Sequence, residues 1–167
     1  YIEFQSTFKP PIFHEVILTN KPRKFFLDLD YKVRIRDTNH YESVLKKYTA
    51  HVNSIKQLLI SVFNSTYIGN YITTSDILEV VSHEDVTRIN SAESLKFSMN
   101  IVLDKYLFPN QCEFAHFGNK LMAQYNKITS GNRIIDDKFF KIMSANFIQN
   151  RLIFSTKSAE NRFKYPM

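Results

Sequence analysis

The chain has 167 residues, 44% of them hydrophobic and 14% aromatic, with only 3 glycines and 5 prolines, which predicts a folded domain and excludes a linker or disordered tail. Its net charge of +6 favours polyanionic partners, chiefly nucleic acid or nucleotides. The single cysteine, Cys112, excludes an internal disulfide framework, and no segment reaches the ~20 apolar residues that a membrane-spanning helix needs.

The first predicted elements are two strands. Residues 14–19 form a short apolar run, and residues 25–35, FFLDLDYKVRI, predict a longer strand. Residues i and i+2 of a strand share a face, so Asp28 and Asp30 project together. Two neighbouring carboxylates repel each other unless a cation lies between them, and a divalent metal is the usual partner. The pair therefore predicts a metal site, with a solvated acidic turn as the alternative.

A long helix and a second core strand follow. Apolar residues recur at intervals of three and four from residue 41 to residue 64, the pattern of an amphipathic helix packed on a sheet. Asn39 is the predicted N-cap of this helix. Residues 76–82 predict a strand, and the polar residues 83–93 predict a loop.

The next strand carries a row of polar side chains. Residues 94–104, SLKFSMNIVLD, alternate, so Lys96, Ser98 and Asn100 share one face and the apolar residues share the other. An ammonium, a hydroxyl and an amide can all donate hydrogen bonds to phosphate oxygens. The row therefore predicts a phosphate-binding strand, and the alternative is a half-exposed antiparallel strand with an ordinary polar face.

A second helix and a third acidic segment come next. Residues 110–126 carry apolar residues at helical spacing, so they predict a helix that packs on the sheet. Residues 133–140, RIIDDKFF, bring Asp136 and Asp137 directly after two isoleucines. Neighbouring residues of a strand point to opposite faces, so only one of these acids is expected to face the metal site.

The C-terminal part of the chain adds positive charge. Residues 151–157, RLIFSTK, predict a strand on which Arg151 and Lys157 share a face. Arg162 follows in a predicted polar loop.

The three acidic positions, in this order, resemble motifs of the archaeo-eukaryotic primase superfamily, in particular its primase-polymerase and viral primase branches. The family's first motif, two acids at a strand end, matches Asp28 and Asp30, and its third, an acid between hydrophobic residues, matches Asp136. The resemblance extends over residues 25–162. It implies that the three aspartates are the catalytic residues and hold Mg²⁺ or Mn²⁺ ions for nucleotidyl transfer.

The family's second motif is Ser-x-His, often with a lysine two residues before the serine. Lys96 and Ser98 match this motif, whereas Asn100 stands where the family usually has histidine. The resemblance implies that this row binds the phosphates of an incoming nucleotide. An amide still donates a hydrogen bond but carries no charge, so weaker triphosphate binding or lower activity is expected. Downstream, Arg151 and Lys157 also match, and the resemblance implies that they bind nucleotide or template with help from Arg162.

The function that the resemblance implies is that of a DNA primase or primase-polymerase, which makes or extends primers from nucleoside triphosphates on a single-stranded DNA template. A helicase module in the same or a partner chain is expected, as are an intracellular location at sites of DNA replication and no membrane contact. Residues 1–167 are expected to be a single primase-like catalytic domain, and the start at Tyr1 indicates a fragment of a larger protein.

Three other functions fit part of the pattern. A primase scaffold that binds nucleic acid or another subunit with weakened catalysis would account for Asn100. A phosphohydrolase of the haloacid dehalogenase type also has two acids after a hydrophobic strand, and Asp136 with Asp137 fits its later acids. That family, however, has Thr or Val where Lys32 stands and needs a parallel sheet with glycine-rich loops. A nuclease is the third alternative, because it too uses carboxylates to hold two metal ions.

The predicted fold is α+β and primase-like. A mixed or mainly antiparallel sheet is expected to carry the acids and the phosphate-binding strand on one open face. The helices at 41–64 and 110–126 are expected to pack behind that sheet.

Overall fold

A computed structural model of the protein describes residues 14–18, 20–82, 94–129, 133–140, 147–151, 156–157, 160–163 and 165–166. Side chains are described for residues 20–82, 94–129 and 133–140, apart from Phe139. The loop predicted at residues 83–93 lies outside the described residues.

The described part of the chain contains two α-helices and eight strands. The helices are α1 (Thr38–Thr66) and α2 (Gln111–Ile128), and short 3-10 helices occupy Thr74–Asp76 and Asp137–Phe140. The strands are β1 (His14–Leu18), β2 (Arg23–Val33), β3 (Ile77–Val81), β4 (Leu95–Phe108), β5 (Phe147–Arg151), β6 (Thr156–Lys157), β7 (Glu160–Phe163) and β8 (Tyr165–Pro166). The predicted α+β class is confirmed.

The main sheet is antiparallel and has the strand order β2-β4-β3-β8. The long strand β4 lies between β2 and β3 and pairs with β2 along the length of that strand, with one irregularity between Lys24 and Phe25. Separate two-stranded antiparallel sheets are formed by β1 with β5 and by β6 with β7. Every strand pairing in the described residues is therefore antiparallel. An antiparallel sheet can leave one face exposed to solvent.

The hydrophobic core lies between the sheet and the two helices. Leu27 and Leu29 of β2 and Phe97, Met99 and Ile101 of β4 are each no more than 2% exposed. These are alternate residues of their strands, so the side chains between them point to the opposite face of the sheet. The core face predicted for β4 is confirmed, and the row that begins with Lys96 lies on its other face.

Helix α1 begins earlier than its apolar pattern indicated, and the prediction that Asn39 is the N-cap is wrong. Asp37 has the extended backbone of a cap residue, and its carboxylate accepts a hydrogen bond of 2.8 Å from the N–H of His40. Asn39 already lies within the first turn, where a cap has no role. In α2, Asn110 is the N-cap, and its side chain accepts a hydrogen bond of 3.0 Å from the N–H of Glu113.

The strand predicted over residues 151–157 is described only at its ends, because residues 152–155 lie outside the described residues. Arg151 is the last residue of β5, where it pairs with His14 of β1. Lys157 lies in β6 and pairs with Glu160 of β7, so the two basic residues belong to different sheets. Arg162 lies within β7 rather than in a loop. Alternation along a chain predicts a shared face only while one strand stays continuous, and pairing with distant strands decides where it ends.

A close contact between α2 and the 3-10 helix fixes the third acidic segment. The ring of Phe140 packs against Gly118 of α2. A Cβ atom at Gly118 would overlap three carbon atoms of that ring. The Phe140 ring also stacks on Phe25 of β2, with centroids 5.7 Å apart and planes 6° apart. The segment that follows Asp136 is therefore anchored to both a helix and the sheet.

Candidate functional site

The first two acids and the polar row of β4 share one face of the sheet. Asp28 lies opposite Asn100, and Asp30 lies opposite Ser98, in the β2–β4 pairing. Side chains opposite each other in an antiparallel pair have Cβ atoms about 4.5–5.5 Å apart. The pairing therefore brings together two motifs that are far apart in the sequence.

The third acid joins this face from the other edge of β2. The N–H of Asp30 donates to the carbonyl of Ile134 at 2.7 Å, and the N–H of Asp136 donates to the carbonyl of Asp28 at 2.8 Å. These two bonds flank an antiparallel bridge between Leu29 and Ile135. Asp136 therefore lies beside Asp28, so three aspartates occupy neighbouring positions on adjacent strands.

Asp30 is held by two side chains of β4. Its Oδ1 accepts a hydrogen bond of 2.7 Å from the hydroxyl of Ser98, and its Oδ2 forms an ion pair with the ammonium of Lys96. The Lys96 and Asp30 side chains remain 25% and 30% exposed, so this ion pair is accessible from solvent. Lys96 and Ser98 thus contact the acid that the sequence placed in the same site.

Asp136 has a lysine partner that sequence reasoning missed. Its Oδ2 lies 2.5 Å from the Nζ of Lys138, and its Oδ1 accepts a hydrogen bond of 3.1 Å from the N–H of the same lysine. Burial works against the charged form of Lys138, but the hydrogen bond and charge of Asp136 outweigh it and raise the lysine pKa above 10.5. The charges of Asp28 and Asp30 act in the same direction. In the sequence, Lys138 is only a charge two residues after an acid, and the 3-10 turn that folds it back is not visible there.

The polar row is less accessible than the sequence predicted. Ser98 and Asn100 are 7% and 6% exposed, so the expected open face is closed over these two residues. Asp28, Asp30 and Lys96 are half-buried. A polyanionic ligand therefore reaches Lys96, at one end of the row, more easily than the amide of Asn100.

The acid-bearing strand is also held from behind by α1. The hydroxyl of Tyr48 donates a hydrogen bond of 2.9 Å to the carbonyl of Leu29, between the two aspartates. Burial raises the pKa of Tyr48 well above its usual range, and the charges of Asp30 and Asp28 add to that effect. The tyrosine therefore stays protonated and keeps donating to this carbonyl.

The donor set can be compared with the expected Mg²⁺ or Mn²⁺ ions. Carboxylate oxygens are the ligands that these ions prefer, and three aspartates lie at neighbouring backbone positions here. In the described part of the chain, however, no group of three or more His, Cys, Asp or Glu side chains has the arrangement of a metal site. The oxygens of Asp30 and Asp136 face the ammonium groups of Lys96 and Lys138 instead. The residues fit a hard cation chemically, and binding one requires these two carboxylates to turn away from their lysines.

Three predicted phosphate-binding residues have no described side chains. Arg151, Lys157 and Arg162 lie in β5, β6 and β7 by their backbones, and their side chains lie outside the described residues. Their role in the site stays a prediction.

A comparison with protein-family models finds no match to this chain, and a search of curated proteins finds none either. Neither described helix combines the length and the apolar character that crossing a membrane requires.

Proposed function

We propose that the chain is the catalytic domain of a template-dependent nucleotidyltransferase, a DNA primase or primase-polymerase. The observation that carries this proposal is the register of residues 134–136 on β2, which puts Asp136 beside Asp28 and Asp30. Acids from two segments far apart in the sequence, with Lys96 next to them, form a combination suited to a metal-bound triphosphate.

In this proposal Asp28, Asp30 and Asp136 would hold Mg²⁺ or Mn²⁺, and the bound ion would supply activation of the 3′-hydroxyl and neutralisation of charge on the triphosphate. Lys96 is released from Asp30 and pairs with a phosphate oxygen of the nucleotide. Lys138 is released from Asp136 in the same way. Without a ligand, both lysines neutralise charge on the carboxylates. With a nucleotide bound, they neutralise charge on its phosphates, so the charges of the site are balanced in both states.

The proposed template is single-stranded DNA. Lys32, Arg34 and Arg36 are exposed where β2 ends and the chain leads into α1, close to the aspartates in the sequence. A row of cations beside a catalytic site attracts the phosphates of a nucleic-acid strand. A helicase module and a location at sites of DNA replication accompany this function as part of the same proposal.

The test is primer synthesis and extension on a single-stranded template with Mn²⁺. The double variant Asp28→Asn with Asp30→Asn keeps the shape of both side chains and is expected to lose activity by at least about 100-fold. The matched control is Asp104→Asn, which changes an exposed carboxylate of β4 outside the site and is expected to act like the wild type. A folded double variant with wild-type activity would end the proposal.

The weakened primase scaffold is a second candidate, favoured by the burial of Asn100 and by the lysine partners of the acids. Titration of Mn²⁺ in the presence of a nucleoside triphosphate separates the two, because a degenerate site would not bind the ion. The haloacid dehalogenase alternative loses its support, since the described strands pair antiparallel. A generic phosphoester and a labelled DNA strand in the same assay test for phosphatase and nuclease activity.

A further inference from the structure

A groove lies on the helix side of the sheet, away from the aspartates. It runs between α1, the last turn of α2 and the end of β2, and it has a volume of about 740 Å³. Pockets that hold small molecules have volumes of about 300–1,000 Å³ and combine apolar walls with a few polar groups. The groove therefore has the size of a site for one small ligand.

The lining combines aromatic rings with positive charge. Tyr31 and Tyr48 stack with ring centroids 6.4 Å apart, and His51 and Tyr125 stack with centroids 5.9 Å apart. Lys47 lies at the exposed rim of the groove. Among the described residues that line the groove there is no aspartate or glutamate. Such a lining favours a planar, anionic ligand and disfavours a cationic one.

The polar groups at the base of the groove are ordered. The hydroxyl of Tyr125 accepts a hydrogen bond of 3.3 Å from the N–H of Ile134 and lies 3.2 Å from the Nε2 of His51. Burial lowers the pKa of His51, which favours the neutral ring. A neutral histidine has one donor and one acceptor nitrogen, so Nδ1 can hydrogen-bond to a ligand in either tautomer.

We propose that this groove binds a nucleoside phosphate, with its base against the rings of Tyr31 and His51 and its phosphate on Lys47. The base supplies the planar surface that the stacked rings match, and its edge can hydrogen-bond to a ring nitrogen of His51 and to the hydroxyl oxygen of Ser54. The phosphate supplies the negative charge that the lysine matches. This is a second site, separate from the one at the aspartates.

The groove contacts the same strand from its other side. Tyr48 holds the carbonyl of Leu29, and Tyr125 holds the N–H of Ile134, whose carbonyl binds the N–H of Asp30. Both tyrosines line the groove. A ligand there therefore touches the groups that set the position of the acid-bearing strand.

The experiment is calorimetric titration of ATP in EDTA, which removes the metal that the aspartates would need. The protein carries Lys96→Ala as background, which removes the ammonium proposed to bind phosphate at the aspartates. Lys47→Ala is expected to weaken ATP binding about tenfold or more, as for the loss of a charge-assisted hydrogen bond. Lys46→Ala is the matched control, because Lys46 is exposed on the same helix but does not line the groove.

A further variant, Tyr31→Leu, keeps an apolar side chain but removes the ring, and it is also expected to weaken ATP binding. The proposal is overturned if ATP does not bind in EDTA at millimolar concentration. Equal affinities of the Lys46→Ala and Lys47→Ala proteins would overturn it as well. Neither result bears on primer extension, which is measured with Mn²⁺ in the unmodified protein, so the two proposals fail independently.

Discussion

Strand β2 carries its charges in two different ways at its two ends. Asp30, in the second half, has its carboxylate oxygens bound by the hydroxyl of Ser98 and the ammonium of Lys96. Arg23, the first residue, is only 5% exposed, and its three guanidinium nitrogens make no hydrogen bond with the part of the chain that the structure describes. Burial lowers the pKa of Arg23, and the contact of its guanidinium with Phe114, 5.1 Å from the ring centroid, is a weak substitute for a counterion.

The difference shows which part of β2 has ion pairs that a ligand can replace. A paired carboxylate that is partly exposed can exchange its lysine for a ligand of similar charge at little cost. A buried cation without a counterion has lost its hydration and gained little in return, so it reduces stability. The half of β2 that carries Asp28 and Asp30, the acid end, is therefore suited to ligand binding. Arg23, at the other end, lowers stability unless an anion binds to it.

The largest effect is expected on primer extension when Asp136, which lies beside the acid end of β2, is substituted. Asp136→Asn should reduce primer extension by at least about 100-fold, because it removes a proposed metal ligand while keeping the side-chain shape. The same change removes the main partner of Lys138, so its pKa should fall back toward 10.5. Primer extension and a lysine NMR titration measure the two effects. Unchanged extension by the folded variant would contradict the role of this acid.

The next largest effect is expected on stability at Gly118, which contacts the Phe140 ring in the segment after Asp136. Gly118→Ala should lower the free energy of unfolding by about 1–3 kcal/mol, because the new methyl group overlaps the ring of Phe140. An exposed helical glycine would instead gain about 1 kcal/mol from the same change. Urea denaturation of the variant measures the sign. Stabilisation would mean that the Phe140 ring does not occupy this space.

Replacing Arg23 is expected to raise the stability of the protein. Arg23→Met keeps a long apolar stem and removes the unpaired guanidinium, so stability should rise by about 1 kcal/mol. Lys24→Met is the control, since Lys24 is exposed and pairs with Asp104 at the surface. Urea denaturation compares the two. A loss of stability at Arg23 would show that its charge has a partner in solution, such as a bound anion.

The smallest effect is expected on the pH dependence of stability at His51, which lines the groove on the helix side of the sheet. Burial lowers its pKa below 6.5, so the unfolded chain binds the proton more readily than the folded one. This residue therefore contributes stability at neutral pH that is lost as the pH falls below 6.5. His51→Gln should reduce this loss by less than about 1 kcal/mol, because the ring is partly exposed. Denaturation at pH 7 and pH 5 gives the difference, and an identical pH dependence in both proteins would contradict it.

Local patterns in the sequence were enough for several elements. Alternation predicted the two faces of β4, with Phe97 and Met99 in the core, because the side-chain period of a strand is two. The spacing of apolar residues predicted both helices, because only one side of each helix packs on the sheet. The sharing of a face by Asp28 and Asp30 followed from the same periodicity.

Only the tertiary structure decided how these pieces meet. The edge of β2 at which residues 134–136 join, the fold of Lys138 back onto Asp136 and the burial of Asn100 depend on which strands and turns lie next to each other. The separation of Arg151 from Lys157 into different sheets depends on pairing with β1 and β7. Periodicity describes how a segment presents its own side chains, whereas hydrogen bonding between distant segments decides what those side chains face.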